Sequence, residues 1–161
     1  MLDSATLADL SDFPDRLERL FAAVPEPMRH WSPASWEGVP SESLTALEQV
    51  CHLRDIEIDG YQLRLRRLLQ EVNPLLESLD GYVLARERGY AQMDAAQALA
   101  AFRGARLRTL ELLGGLDEAQ WQRRGEFESA AVTVQGLAHL LCSHDQQHLS
   151  GLQWLLARMC V

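Results

Sequence analysis

Five consecutive residues near the end of the chain, His144-Asp145-Gln146-Gln147-His148, carry the pattern from which chemistry is most readily built. On a helix, residues four apart share a face, with β-carbons about 5–6 Å apart. Two imidazoles at this spacing can converge on one metal ion, at zinc–nitrogen distances near ~2.0–2.1 Å. At about 100° per residue, both histidines share an arc with Leu137, Leu141, Gly151 and Leu155, so they are expected to point into the fold. An inward imidazole needs a partner, because a buried polar group left unpaired costs ~1–3 kcal/mol.

His52 is the natural third member of such a site. It shares a helical face with Glu48, Asp55, Ile56, Asp59 and Leu63. The greasier side of that helix, with Leu47, Cys51, Ile58, Leu65 and Leu69, is rotated away by roughly a quarter to a third of a turn. The mixed stripe around His52 suits the rim of a site. Asp55, one turn on from His52, is placed to accept a ligand histidine's second N–H or to handle a proton on bound water. Gln147, at the edge of the His144/His148 arc, is a candidate polar pocket residue.

The remaining candidates read differently. His139 is rotated by more than a third of a turn from the pair and is expected at the surface or behind the ligands, and His30 is a loop residue. Cys142 faces away from the pair and Cys51 lies on the packing side, so both read as small core residues, and Cys160 is uninformative. Trp31, Trp36, Trp121 and Trp154 are expected to lock loops and helix ends, with Trp36 alone placed to line a pocket. A zincin protease site needs Glu directly after the first His and a third ligand downstream, but Asp145 stands there and nothing suitable follows. A di-iron bundle needs paired Glu-x-x-His motifs, whereas Glu48 precedes His52 by four residues.

Four helices must position these groups, because Leu, Ala, Glu, Gln and Arg dominate and strand patterns are nearly absent. The first spans about residues 4–23, with Pro14 predicting a kink or a start at Asp12. Pro25, Pro27, Pro33, Gly38 and Pro40 then mark a loop. Ser41 or Ser43 is expected to cap the second helix, which runs to about residue 72 and ends at Asn73-Pro74. Residues 75–93 are ambiguous, with Asp80-Gly81 and Gly89 as breakers. Asp94 caps a third helix over about 95–113, a short turn is allowed over 117–123, and Thr133 caps a fourth that runs to about Met159. This pattern predicts an all-α four-helix bundle.

Size and charge narrow the function classes. The chain's 161 residues suit one domain, 1–161, with no linker or repeat. A formal charge of −8 opposes phosphate backbones. The densest basic stretches, Arg64-Leu65-Arg66-Arg67 and residues 103–108, sit beside acidic neighbours and read as solvated helix faces, so no nucleic-acid partner is expected. Three cysteines without C-x-x-C spacing fit a reducing compartment. The first residues show no secretory signal, and no apolar run approaches the ~18 residues of a membrane span. A cytoplasmic protein with no membrane partner is the expectation.

The Trp31–Trp36 loop, the run Cys51-His52-Leu53-Arg54-Asp55-Ile56-Glu57 and the run His144-Asp145-Gln146-Gln147-His148-Leu149, in that order, resemble the DinB/YfiT-like superfamily of metal-dependent enzymes. The resemblance covers nearly the whole chain. It implies an up-down-down-up four-helix bundle, often a homodimer, with a divalent metal held by His52, His144 and His148. Three protein ligands leave positions for water or substrate. Imidazole ligands favour Zn²⁺ or Ni²⁺. The resemblance further implies hydrolysis or thiol S-transfer on a small-molecule substrate, in some relatives with a low-molecular-weight thiol cofactor. The alternative is a bundle that binds a metal or small ligand without turnover, as a sensor or interaction module.

Overall fold

The structure, a computed structural model, describes residues 2–159, so Cys160 lies outside the described residues. Asp3 caps the first helix, α1 (Ser4–Ala22), by accepting a hydrogen bond from the Thr6 amide, and the helix includes Pro14 rather than starting at Asp12. The Pro-rich connection that follows holds one 3₁₀ turn, Glu26–Met28. Trp36 stacks on Trp154, with ring centroids 5.9 Å apart and planes 11° apart. It therefore braces the end of the last helix and does not line the pocket described below.

The second long helix is capped by Thr45, not by Ser41 or Ser43. Thr45 and Glu48 form a reciprocal capping box that satisfies two amides which a serine further upstream would leave exposed. The rod consists of α2 (Ala46–Asp55), a π-helical segment (Ile56–Tyr61) and α3 (Gln62–Gln70). Each wide π turn shifts the angular phase of everything beyond it, so a face assigned at constant rotation before residue 56 does not continue after residue 61.

Residues 75–93 resolve into β1 (Leu75–Leu76), α4 (Gly81–Glu87), capped by Asp80, and a 3₁₀ turn (Tyr90–Gln92). Asp94 caps α5 (Ala95–Gly114), and an Asp117/Gln120 capping box starts α6 (Glu118–Trp121). Thr133 Oγ1 accepts from the Gly136 amide at the start of α7 (Val134–Met159).

Strands do occur, contrary to the sequence expectation. β2 (Arg124–Phe127) pairs antiparallel with β3 (Ala130–Thr133) and parallel with β1. The tight turn between β2 and β3 places Glu128 and Ser129 at φ 51° and 62°. Such turns normally announce themselves with Asn or Gly, and here neither is present. Gly125 lets the hairpin sit against α3: a Cβ there would lie 2.7 Å from Leu68 Cδ2 and 2.7 Å from Pro74 O.

Side-chain contacts fix the helix directions. Thr6 meets His139 and Arg16 meets Gln146, so α1 and α7 run parallel. Arg106 reaches Leu10 while Arg103 reaches Asp15 and Glu18, so α5 opposes α1. Gln49 faces His148 and His52 faces His144, so α2 opposes α7. The bundle is up-down-down-up. Its core includes Phe13, Leu17, Val50, Leu65, Leu68, Leu137, Leu141 and Leu152, all buried, and each large side chain contributes about 1.5–3 kcal/mol. Among the described residues, no helix is long and apolar enough to cross a membrane.

Candidate metal centre

The antiparallel contact of α2 with α7 brings His52, His144 and His148 to one point. Glu42, from the loop before α2, joins them, and one ligand-type atom from each of the four lies within 4.8 Å of the others. His52 Nε2 is 3.3 Å from His144 Nε2 and 3.5 Å from Glu42 Oε1. His148 Nε2 is 3.1 Å from Glu42 Oε2, yet out of line for a hydrogen bond, and it is a buried nitrogen without a hydrogen-bond partner.

Gln49 sets the tautomer of His148. Its amide nitrogen donates to Leu44 O, which leaves Oε1, 3.2 Å from His148 Nδ1, as an acceptor. A proton therefore sits on Nδ1, and in the neutral ring the Nε2 lone pair faces the Glu42 carboxylate. Two electron-rich atoms at that separation repel unless a cation lies between them. The donor set, three imidazoles and a carboxylate within reach of one another, fits a divalent metal.

Electrostatics keep His52 and His144 neutral. Burial, and then the neighbouring His148, push His52 down to about 4. Burial, His148 and His52 hold His144 below the ordinary histidine range. Contact with His148, when that ring is protonated, keeps the Glu42 carboxyl below the usual carboxylate range. A metal ion needs an ionised carboxylate and neutral imidazoles, so it would take the place of that proton.

His52 is fully buried rather than set on a rim. The first residue of α4 covers it: a Cβ on Gly81 would lie 2.7 Å from His52 Cε1 and 2.9 Å from Nδ1, so only glycine permits this approach. A cavity of about 270 Å³ opens beside the cluster, lined among others by Tyr61, Arg64, Ser78, Phe127 and Gln147. Residues 78–79 thus form one wall of the pocket, and Gln147 lines it as expected.

Asp55 lies elsewhere. Its carboxylate accepts from Arg54 at 2.6 Å, Tyr90 at 2.8 Å and Arg88 at 2.8 Å, and no hydrogen bond joins it to a histidine. It ties α2 to the 3₁₀ turn and α4, while Gln49 does the orienting expected of Asp55. His139 and His30 are exposed, and Cys51 is buried. Glu42 gave no signal in the sequence because it sits on irregular backbone, where periodicity says nothing about direction.

The basic stretches need correction too. Arg66 and Arg108 are exposed, but Arg64 and Arg106 are buried. Arg106 donates to both oxygens of Glu57 (3.1 and 2.9 Å) and of Asp145 (2.7 and 3.0 Å), and to Leu10 O at 3.1 Å. This triad fixes α5 against the π segment and against the turn of α7 that carries His144.

The fold and site define a class, an up-down-down-up helical bundle with three imidazoles and a carboxylate gathered between its second and last long helices. The sequence matches the DinB superfamily profile over residues 9–151, and the chain belongs to that family. Among solved structures, it is similar to YfiT from Bacillus subtilis, a probable metal-dependent hydrolase with an unusual four-helix bundle topology. The identity is 18%, the match covers 99% of this chain and 91% of that one, and the TM-score is 0.83. No curated protein matches.

Proposed function

We propose that the chain is a divalent-metal-dependent enzyme in which His52, His144, His148 and Glu42 hold the ion, Zn²⁺ or Ni²⁺ by ligand type, and that it works by hydrolysis or thiol S-transfer on a small molecule. The observation that carries this reading is the buried His148 Nε2, which lies 3.1 Å from a Glu42 carboxylate oxygen and makes no hydrogen bond with any described residue. The description of YfiT as a probable metal-dependent hydrolase supports it. A bound ion would supply the lowered pKa of a coordinated water or thiol.

The chain's own residues do the rest. Gln49 holds His148 in the tautomer that presents Nε2, Gly81 and its neighbours exclude water from the back of His52, and Gln147 and Ser78 offer hydrogen bonds at the cavity wall. Neither described cysteine supplies a nucleophile. Cys51 is buried and its thiol is pushed up to about 11, by burial first, and burial raises Cys142 as well. A reacting thiol therefore comes from a second substrate.

Elemental analysis of untagged protein tests this reading. About one divalent ion per chain is expected, with loss of that ion in His148→Ala; a metal-free wild type, or full occupancy in the variant, would overturn it. Turnover of an electrophile with water or with a low-molecular-weight thiol then separates hydrolysis from S-transfer, and no turnover with either leaves the binding-only bundle. Gly81→Ala should keep the fold while displacing the His52 ring, weakening metal affinity by about 10–100-fold, the usual range for a disturbed ligand support. Competition with a chromogenic chelator measures it.

A further inference from the structure

Arg64 and Arg106 are both buried, but they are neutralised differently. Arg106 is met by two carboxylates, whereas Arg64, only 6% exposed, forms no ion pair with any described residue. Its Nε donates to Glu77 O at 2.9 Å. Its guanidinium carbon lies 4.6 Å from the Phe127 ring centroid and 5.3 Å from that of Tyr61. These contacts clamp the side chain, yet Nη1 and Nη2 donate to no described residue, and Arg64 lines the same cavity as His52, His144 and Glu42. The Tyr61 ring, in contact with the guanidinium, is also 5.9 Å from the His144 ring.

Glu128, on the same cavity, attracts this guanidinium without pairing with it, so its fork stays open toward the cavity, and such a fork matches a carboxylate with two parallel hydrogen bonds. We propose that Arg64 binds a carboxylate of the substrate through Nη1 and Nη2, while the substrate's reacting group lies at the His52/His144/His148/Glu42 cluster. The proposal rests on the metal site above and adds the substrate class: a small carboxylic acid whose reacting group is a few bonds from its carboxylate. A dianionic phosphoryl group fits less well. Glu42 and Glu128 line the same cavity, so one guanidinium would face two carboxylates and two further charges.

Calorimetric titration of zinc-loaded protein with mercaptopropionate and with its neutral counterpart mercaptopropanol tests this. The wild type should bind the acid at least about tenfold more tightly than the alcohol, as expected for a hydrogen-bonded charge pair. In Arg64→Met the acid should fall to the affinity of the alcohol, with alcohol binding and zinc content unchanged. Arg64→Gln, which keeps a donor for Glu77 O, should do the same and decides the matter if the methionine variant does not fold. Equal affinities in the wild type, or an acid preference that survives both substitutions, would overturn the proposal. Should the wild type take up no zinc, the metal reading fails by itself. Butyrate added to metal-free protein then decides for Arg64: saturable shifts of the Tyr61 and Phe127 ring protons, absent with butanol and in the variants, support it, and their absence sinks it.

Discussion

Arg106→Met is expected to cost about 3–5 kcal/mol at pH 8, the range for removing one partner of a buried ion pair. That is a large part of the ~5–15 kcal/mol that holds a domain folded. Burial alone would lower the affinity of Arg106 for its proton, but Asp145 and Glu57 hold it above the ordinary range. Methionine leaves both carboxylates buried beside Thr109, which donates to Glu57 at 2.5 Å and cannot neutralise it. Burial already pushes Asp145 up to about 7 against the pull of Arg106, and without the guanidinium it rises further. A carboxyl raised in the folded state holds its proton while the unfolded chain has released its own, so the deficit grows with pH. Urea midpoints should therefore diverge from the wild type at pH 8 and converge toward pH 5. Adding Glu57→Gln and Asp145→Asn to the methionine variant should recover part of the loss, since no charge then remains buried. A methionine variant as stable as the wild type at pH 8 would show that the triad carries no such weight.

The same triad shows why some features were legible in the sequence and others were not. Helix existence was readable because Leu and Ala recur at helical spacing on α1, α5 and α7, and the caps at Asp94 and Thr133 are local hydrogen bonds that local sequence specifies. His144 and His148 could be aimed inward because α7 is regular from end to end. The face of the second helix could not be carried past Asp55, because the π segment changes the rotation per residue there. Arg106 reads as a surface residue when only its sequence neighbours are counted; its partners Glu57 and Asp145 lie 49 and 39 residues away. Glu42 and Gln49 are selected by tertiary approach, one from a loop and one from within α2, and neither has a spacing that distinguishes it from its neighbours. The β2–β3 hairpin hid behind a turn of Glu and Ser.

Acid should unfold the metal-free protein over a defined window. His52 drops from the usual 6.5 to about 4 in the fold, with burial as the main cause, and His144 moves in the same direction. In the folded state these rings resist protonation that the unfolded chain accepts. Their contribution is therefore present above about 6.5 and is lost as pH falls through that value toward 4. For His52 alone the loss is on the order of 3 kcal/mol once pH is below 4. Asp145 works the other way: raised to about 7, it favours the folded state as pH falls through the same window, so two imidazoles oppose one carboxyl and net loss is expected. Glu42, held below the usual range, adds to the loss only near and below pH 4.5. Chemical denaturation at pH 7.5, 6 and 4.5 in the presence of EDTA should show stability declining at each step. Asp145→Asn removes the opposing group and should make the decline steeper. Zinc adds a second signature, because protons and metal compete for the same nitrogens: it should raise the melting temperature at pH 7.5 and lose that effect by pH 4.5. A stability flat from pH 7.5 to 4.5 without metal would mean that these rings do not resist protonation in the fold. Protection by zinc that persisted at pH 4.5 would point away from imidazole ligands.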